Sequence, residues 1–178
     1  TVSTERVSRM TTDPYWRLYV NPMWVVGADV DVLAREIAHQ VVDSGFEPDK
    51  VLSVARGGMG LGMGLGYALD VKNISAVNVE FYTGVDERLE VPIMLPPTPA
   101  AVDLAGLKIL VADDVADTGK TLEIVREFCA DHVAEARIAV IYEKPATVVR
   151  PDYAWRRTEL WIDFPWSADP PLVHRGRR

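Results

Sequence analysis

Apolar residues recur along this chain in two rhythms, and the rhythms alternate. Leu33, Ile37 and Val41 return every four residues with Ala34 and Ala38 beside them, so a helix with one buried face is predicted over residues 32–44. Gly45 and Pro48 stop it. The run Val51-Leu52-Ser53-Val54-Ala55 is short, apolar and rich in β-branched residues, as a strand covered on both faces would be. A glycine-studded helix is predicted over 58–69 and a second strand over 74–81. A third strand, 107–112, leads into a helix over 120–130 whose Leu122, Val125 and Cys129 share one face. A fourth strand is predicted over 138–142. Strand–helix alternation of this kind predicts an α/β fold, a parallel sheet flanked by helices on both faces.

Two stretches depart from the alternation. Residues 82–106 hold Pro92, Pro96, Pro97 and Pro99 among several charges, and so long a connection inside a domain is expected to act as a lid. The chain is also aromatic near both ends, with Tyr15, Trp16, Tyr19 and Trp24 in one segment and an extended stretch, 153–166, in the other. These segments are expected to form a small hood, from about residues 10–24 and 146–167, on a core of about 25–145. A basic, flexible tail is expected at 168–178. With no internal repeat or linker, the 178 residues read as a single domain.

Composition narrows the function. The formal net charge is −7, whereas a protein held to nucleic acid by general electrostatics is basic over its binding face. Any anion site must be local, built from a few donors. Cys129 is the single cysteine, so neither an intramolecular disulfide nor a cysteine metal cluster is available. The three histidines, His39, His132 and His174, are too scattered to make a site. The first nine residues are polar and lack an apolar signal region, with Met10 a candidate natural start. The most apolar stretch, 51–71, is interrupted by Arg56 and six glycines, which argues against a membrane span. A cytoplasmic location is expected.

The chemistry concentrates in Ile109-Leu110-Val111-Ala112-Asp113-Asp114-Val115-Ala116-Asp117-Thr118-Gly119-Lys120-Thr121-Leu122. A buried strand runs into a polar turn that opens a helix. A helix start offers free N–H groups and partial positive charge. Thr118 and Thr121 add hydroxyls, and Gly119 allows close backbone approach. Residues 116–121 therefore form a socket for one phosphate. Gly119-Lys120-Thr121 looks like the end of a P-loop, but Asp114 stands where the first glycine belongs. Asp117-Thr118-Gly119 also fits an aspartic protease loop, yet those proteases are all-β and a helix follows here. A plain capped helix explains Asp117 or Thr118, but not two adjacent acids at the end of an apolar strand. A ligand with an isolated phosphate, a diol and a metal would use all of these groups.

A second anion site is predicted at Ala55-Arg56-Gly57-Gly58, where successive glycine N–H groups and the Arg56 guanidinium follow the first strand. The dinucleotide pattern G-x-G-x-x-G fails there, with Met63 and Leu65 at the required positions.

Residues 109–121 closely resemble the signature by which type I phosphoribosyltransferases bind 5-phosphoribosyl-1-pyrophosphate (PRPP). That resemblance implies a Rossmann-like sheet fold, Mg²⁺ dependence and a homodimer. It implies that Asp113 and Asp114 bind the ribose diol and Mg²⁺, that residues 116–121 bind the 5′-phosphate, and that Asp117 is the general base. The Ala55–Arg56 peptide, cis in that family, would lie in the pyrophosphate loop with Gly57 and Gly58, Arg56 helping the leaving group and Lys72 also reaching it, sometimes across a dimer interface. Tyr142-Glu143-Lys144-Pro145-Ala146 and Leu160-Trp161-Ile162-Asp163-Phe164-Pro165-Trp166 resemble the purine-binding parts of bacterial and archaeal xanthine, guanine and hypoxanthine phosphoribosyltransferases. There Lys144 would donate to a purine 6-oxygen, Trp161 would stack on the base, and the Ile162 backbone would read the edge near the 2-position. Pairing of Lys144 with Glu143 and burial of Trp161 in a core are the structural alternatives. Tyr82 occupies the lid tyrosine position with Thr83 after it. Phe81, Lys120, Ser167 and the proline-rich lid depart from the family pattern and bear on substrate preference. A PRPP-sensing regulator of the same fold, or an enzyme for another base, is the alternative reading.

Overall fold

The computed structural model describes residues 17–19, 28–83, 90–95, 99, 101–164, 166–167 and 169–173. Met10, His174, the aromatic residues Tyr15, Trp16 and Trp24, and lid positions 84–89, 96–98 and 100 lie outside them. Two units are distinguished: Val30–Thr158, and the paired segments Thr1–Asp29 and Glu159–Arg178.

In the first unit, helix α1 (Ala28–Asp43) starts earlier than its periodicity suggested. Its expected face, Leu33, Ala34, Ile37, Ala38 and Val41, is buried. Strand β2 (Lys50–Ala55) follows, then α2 (Gly58–Ala68), β3 (Ile74–Thr83), β4 (Glu90–Leu95) and the short α3 (Ala101–Leu104). Next come β5 (Lys108–Ala116), α4 (Lys120–Ala130), β6 (Glu135–Glu143) and β7 (Tyr153–Arg157). The sheet has the order β4-β3-β2-β5-β6-β7, parallel throughout except for β4 against β3.

Alternation along the central strands explains why both faces are covered. Leu52 and Val54 join Leu122, Val125 and Cys129 of α4 in one buried cluster. Val51 and Ser53 point the other way: a Cβ on Gly62 of α2 would run into Ser53 Oγ. Glycine at that position lets α2 lie close against the sheet.

Three expectations need correction. The connection 82–106 is not without regular structure: β4 extends the sheet, and Leu104 of α3 is fully buried in the core cluster. Pro92 sits within β4, at the sheet edge, the place in a sheet where proline is tolerated. β5 does not end at residue 112 but stays paired with β6 through Asp113↔Val140 and Ala116↔Glu143. Finally, residues 146–158, expected in the hood, run with the sheet, because β7 is its last strand.

In the second unit, β1 (Arg17–Tyr19) pairs in parallel with β8 (Trp161–Asp163), aligning Leu18 with Ile162. Phe164 stacks on Trp166 with ring centres 4.8 Å apart. No helix among the described residues is long and apolar enough to cross a membrane.

Candidate active site

The strand order decides where a ligand can sit. From β2 the chain crosses to β3 on one side, then returns to place β5 on the other. Connections leave the carboxyl ends of β2 and β5 in opposite directions, opening a crevice between them. A cavity of about 310 Å³ lies there, lined by Ala55 and Gly57 after β2, and by Asp113, Asp114, Asp117, Thr118, Gly119 and Thr121 from β5 onward. Two segments singled out separately in the sequence thus meet in one pocket.

The Ala55–Arg56 peptide is cis. Gly57 then passes so near β5 that an added Cβ would lie 2.8 Å from Asp114 Oδ1 and collide with Oδ2. A Cβ on Gly58 would collide with the Ala112 carbonyl. Both glycines are therefore required by close approach, and the loop's backbone is held against the second acid.

Asp113 is buried, and its Oδ1 accepts a hydrogen bond of 2.9 Å from the Asp114 N–H. Burial pushes its carboxyl well above the ordinary range, and the Asp114 charge pushes it further. Two such neighbours are comfortable as anions only when donors or positive charge approach them. Hydroxyls of a diol or a divalent cation would satisfy that demand. Among the described residues no group of three or more His, Cys, Asp or Glu could hold a metal, so an ion here would also need oxygens from a substrate.

Gly119 adopts φ 82°, left-handed backbone that a glycine tolerates, and caps the start of α4. Asp117 and Thr118 are exposed at the mouth, and the Lys120 N–H points at Thr118 Oγ1 at 3.5 Å. Lys120 is exposed and Ala116 buried; neither lines the cavity. Arg56 is exposed beside it, outside the lining.

Lys144 follows β6, and its N–H donates to the Ala116 carbonyl at 2.9 Å, so the lysine turn starts beside the turn that opens α4. Glu143 is buried and bonded to Arg157 Nε at 2.7 Å, an ion pair the sequence did not signal. Trp161 and Ile162 lie on β8 in the other unit; Trp161 is 60% exposed rather than core, its indole N–H donating to Asp163 Oδ1 at 3.0 Å, and Ile162 is buried. The backbones of Tyr82 and Thr83 pair with Val91 and Glu90, and their side chains are outside the described residues.

Lys72 is the misplaced candidate. It precedes β3, whose Ile74 pairs with Val51 near the start of β2, whereas the site lies beyond Ala55 at the other end. Four residues of strand, about 13 Å, separate them, so within one chain Lys72 belongs to the opposite end of the sheet. Conversely, Val54, Val79, Val115 and Leu122 form the cavity's apolar wall, without any site signal in the sequence. Thr147, Val148 and Val149 lie behind Gly119, equally unmarked. Such residues carry no chemical signature; only strand register and loop packing reveal them.

Comparison with known proteins agrees with this geometry. A model of the phosphoribosyl transferase domain matches residues 29–171. The chain is similar to the xanthine-guanine phosphoribosyltransferase of Ruegeria sp. (strain TM1040), with 32% identity over 123 residues, 66% of this chain and 67% of the relative. It is also similar to the enzyme of that name from Cereibacter sphaeroides, with 32% identity over 133 residues, 71% of this chain and 75% of the relative. Among solved structures, a purine phosphoribosyltransferase from Pyrococcus horikoshii superposes with a TM-score of 0.74 at 34% identity, covering 89% of this chain and 99% of that one.

Proposed function

The chain belongs to the phosphoribosyl transferase family, and on that premise we propose that it joins a 6-oxopurine base to the ribose of PRPP, releasing a nucleoside monophosphate and pyrophosphate. The observation that carries this reading is the switch-point cavity, where an acidic pair and a threonine–glycine turn face one ligand-sized space.

The N–H groups and hydroxyls of residues 118–121 hold the 5′-phosphate. Asp113 and Asp114 accept hydrogen bonds from the ribose diol. The N–H groups of Gly57 and Gly58 and the Arg56 guanidinium take the pyrophosphate, and Arg56 stabilises the charge that develops on it as the C1–oxygen bond breaks. Magnesium, when bound with PRPP, supplies positive charge against the pyrophosphate, and Asp113 and Asp114 are the residues that would hold it with the substrate's own oxygens. Asp117 takes the proton from the purine imidazole. Lys144 donates to the 6-oxygen, which a 6-amino group could not accept. Trp161 offers a stacking face and Ile162 its backbone. The active form is a homodimer in the cytoplasm.

The test is a phosphoribosyl transfer assay with PRPP, Mg²⁺ and, in turn, hypoxanthine, guanine, xanthine and adenine. Turnover of at least one of the first three, with adenine inert, is expected. Turnover of adenine alone overturns the 6-oxo preference. PRPP binding without turnover of any base would make the chain a sensor of PRPP instead.

A further inference from the structure

We propose that Thr147 is a positioning residue that fixes the distance between the Lys144 turn and the phosphate turn, so that the site gauges the length of a whole nucleoside monophosphate. This rests on the purine reading above. The loop 144–149 is clipped along the phosphate turn at both ends: the Lys144 N–H donates to the Ala116 carbonyl at 2.9 Å, and the Val148 N–H to the Thr118 carbonyl at 3.0 Å. Thr147 occupies the middle and ties the pieces together. Its N–H donates to the Lys144 carbonyl at 3.2 Å, and its hydroxyl to the Val149 carbonyl at 2.9 Å. The same hydroxyl leaves no room for a Cβ on Gly119, which would also lie 2.8 Å from the Val149 N. Val149 is buried in the core cluster with Leu122 and Val125 of the helix that begins at the phosphate turn. The core therefore fixes Val149, Val149 fixes Thr147, and Thr147 holds Lys144 and Gly119 at a set separation.

A phosphate-bearing sugar alone, or a base alone, contacts only one end of this gauge. A nucleoside monophosphate contacts both, and so does the transition state. Loss of the hydroxyl should thus weaken the ligands that span the site while sparing those that do not.

The experiment measures binding of PRPP with Mg²⁺ and of inosine and guanosine 5′-monophosphates to wild type, Thr147→Val and Thr147→Ser, with kcat and the KM values for the base and for PRPP. Thr147→Val should weaken nucleotide binding about tenfold, the scale of one hydrogen bond, and leave PRPP within about twofold. Turnover should fall through kcat more than through the KM for PRPP, and Thr147→Ser should restore both. Equal loss of PRPP and nucleotide, no loss of either, or a serine variant that behaves like valine overturns the inference. A wild-type chain that binds neither nucleotide overturns the purine reading and takes this inference with it.

Discussion

At the scale of single residues, Asp113 is a buried acid held against a second acid. Its carboxyl is buried beside Asp114, so the folded state holds its proton more tightly than the unfolded chain does. Between the unfolded pKa and the raised folded one, the native state binds more protons, so in metal-free protein this residue's contribution to stability falls as pH rises through that window. Asp113→Asn should therefore be more stable than wild type near neutral pH in the presence of a chelator. The difference should shrink as pH drops below the folded pKa, a trend that thermal melts across pH would show; a constant difference would contradict it. The same substitution should lose PRPP binding if Asp113 takes the ribose diol as proposed. Gly57 gives a second case. With an alanine Cβ the Asp114 carboxylate must move, and displacement on that scale should lower kcat/KM for PRPP about 10²-fold. Asp117 differs from both. It is exposed at the mouth of the cavity, so Asp117→Asn should reduce turnover about 10²-fold or more while PRPP binding persists, measured by steady-state kinetics beside calorimetry.

Elements show why some of this was legible in the sequence. α1, α2, α4, β2, β3 and β6 were read from apolar periodicity, because each buries a face or a whole strand against the sheet. The site segments were legible for another reason: acids, threonines and glycines after an apolar strand are unusual enough to demand a ligand. The failures have physical causes as well. Asp113 and Asp114 break an apolar pattern, so β5 looked finished while its backbone stayed paired to β6. Pro92 hid β4, since proline is tolerated in a strand chiefly at a sheet edge, and the edge position of β4 is visible only in the pairing. Lys72 lies away from the site within its own chain, and its place depends on the register of β3 on β2, which no local pattern encodes. Arg157, bonded to buried Glu143, sits 14 residues away in sequence and was invisible for the same reason. The connection that looked irregular can be tested directly. Leu104 is fully buried in α3, so Leu104→Ala should destabilise the fold by about 2–5 kcal/mol, read in a denaturant titration. A change within noise would mean that α3 contributes nothing to the core.

For the molecule as a whole, a net charge of −7 opposes a ligand as anionic as PRPP. On the proposed reading, affinity comes from the few groups gathered at the switch point and from a divalent cation that would offset both the pyrophosphate and the acidic pair. Binding then couples to folding. The lining residues come from β2, β3, β5 and the start of α4, so a ligand that needs them all together binds the native state and not the unfolded chain. At about 100 times its Kd such a ligand adds about 2.7 kcal/mol to stability. For a chain of this length each kcal/mol shifts Tm by roughly 2–4 °C. PRPP with Mg²⁺ should accordingly raise Tm by roughly 5–10 °C, and EDTA should abolish most of the shift. Asp117→Asn should keep the shift and Gly57→Ala should lose it, because only the second displaces Asp114, the acid proposed to meet the ribose. A shift unaffected by EDTA would show that the site's own donors suffice for the pyrophosphate, and would remove the cation from the account of binding.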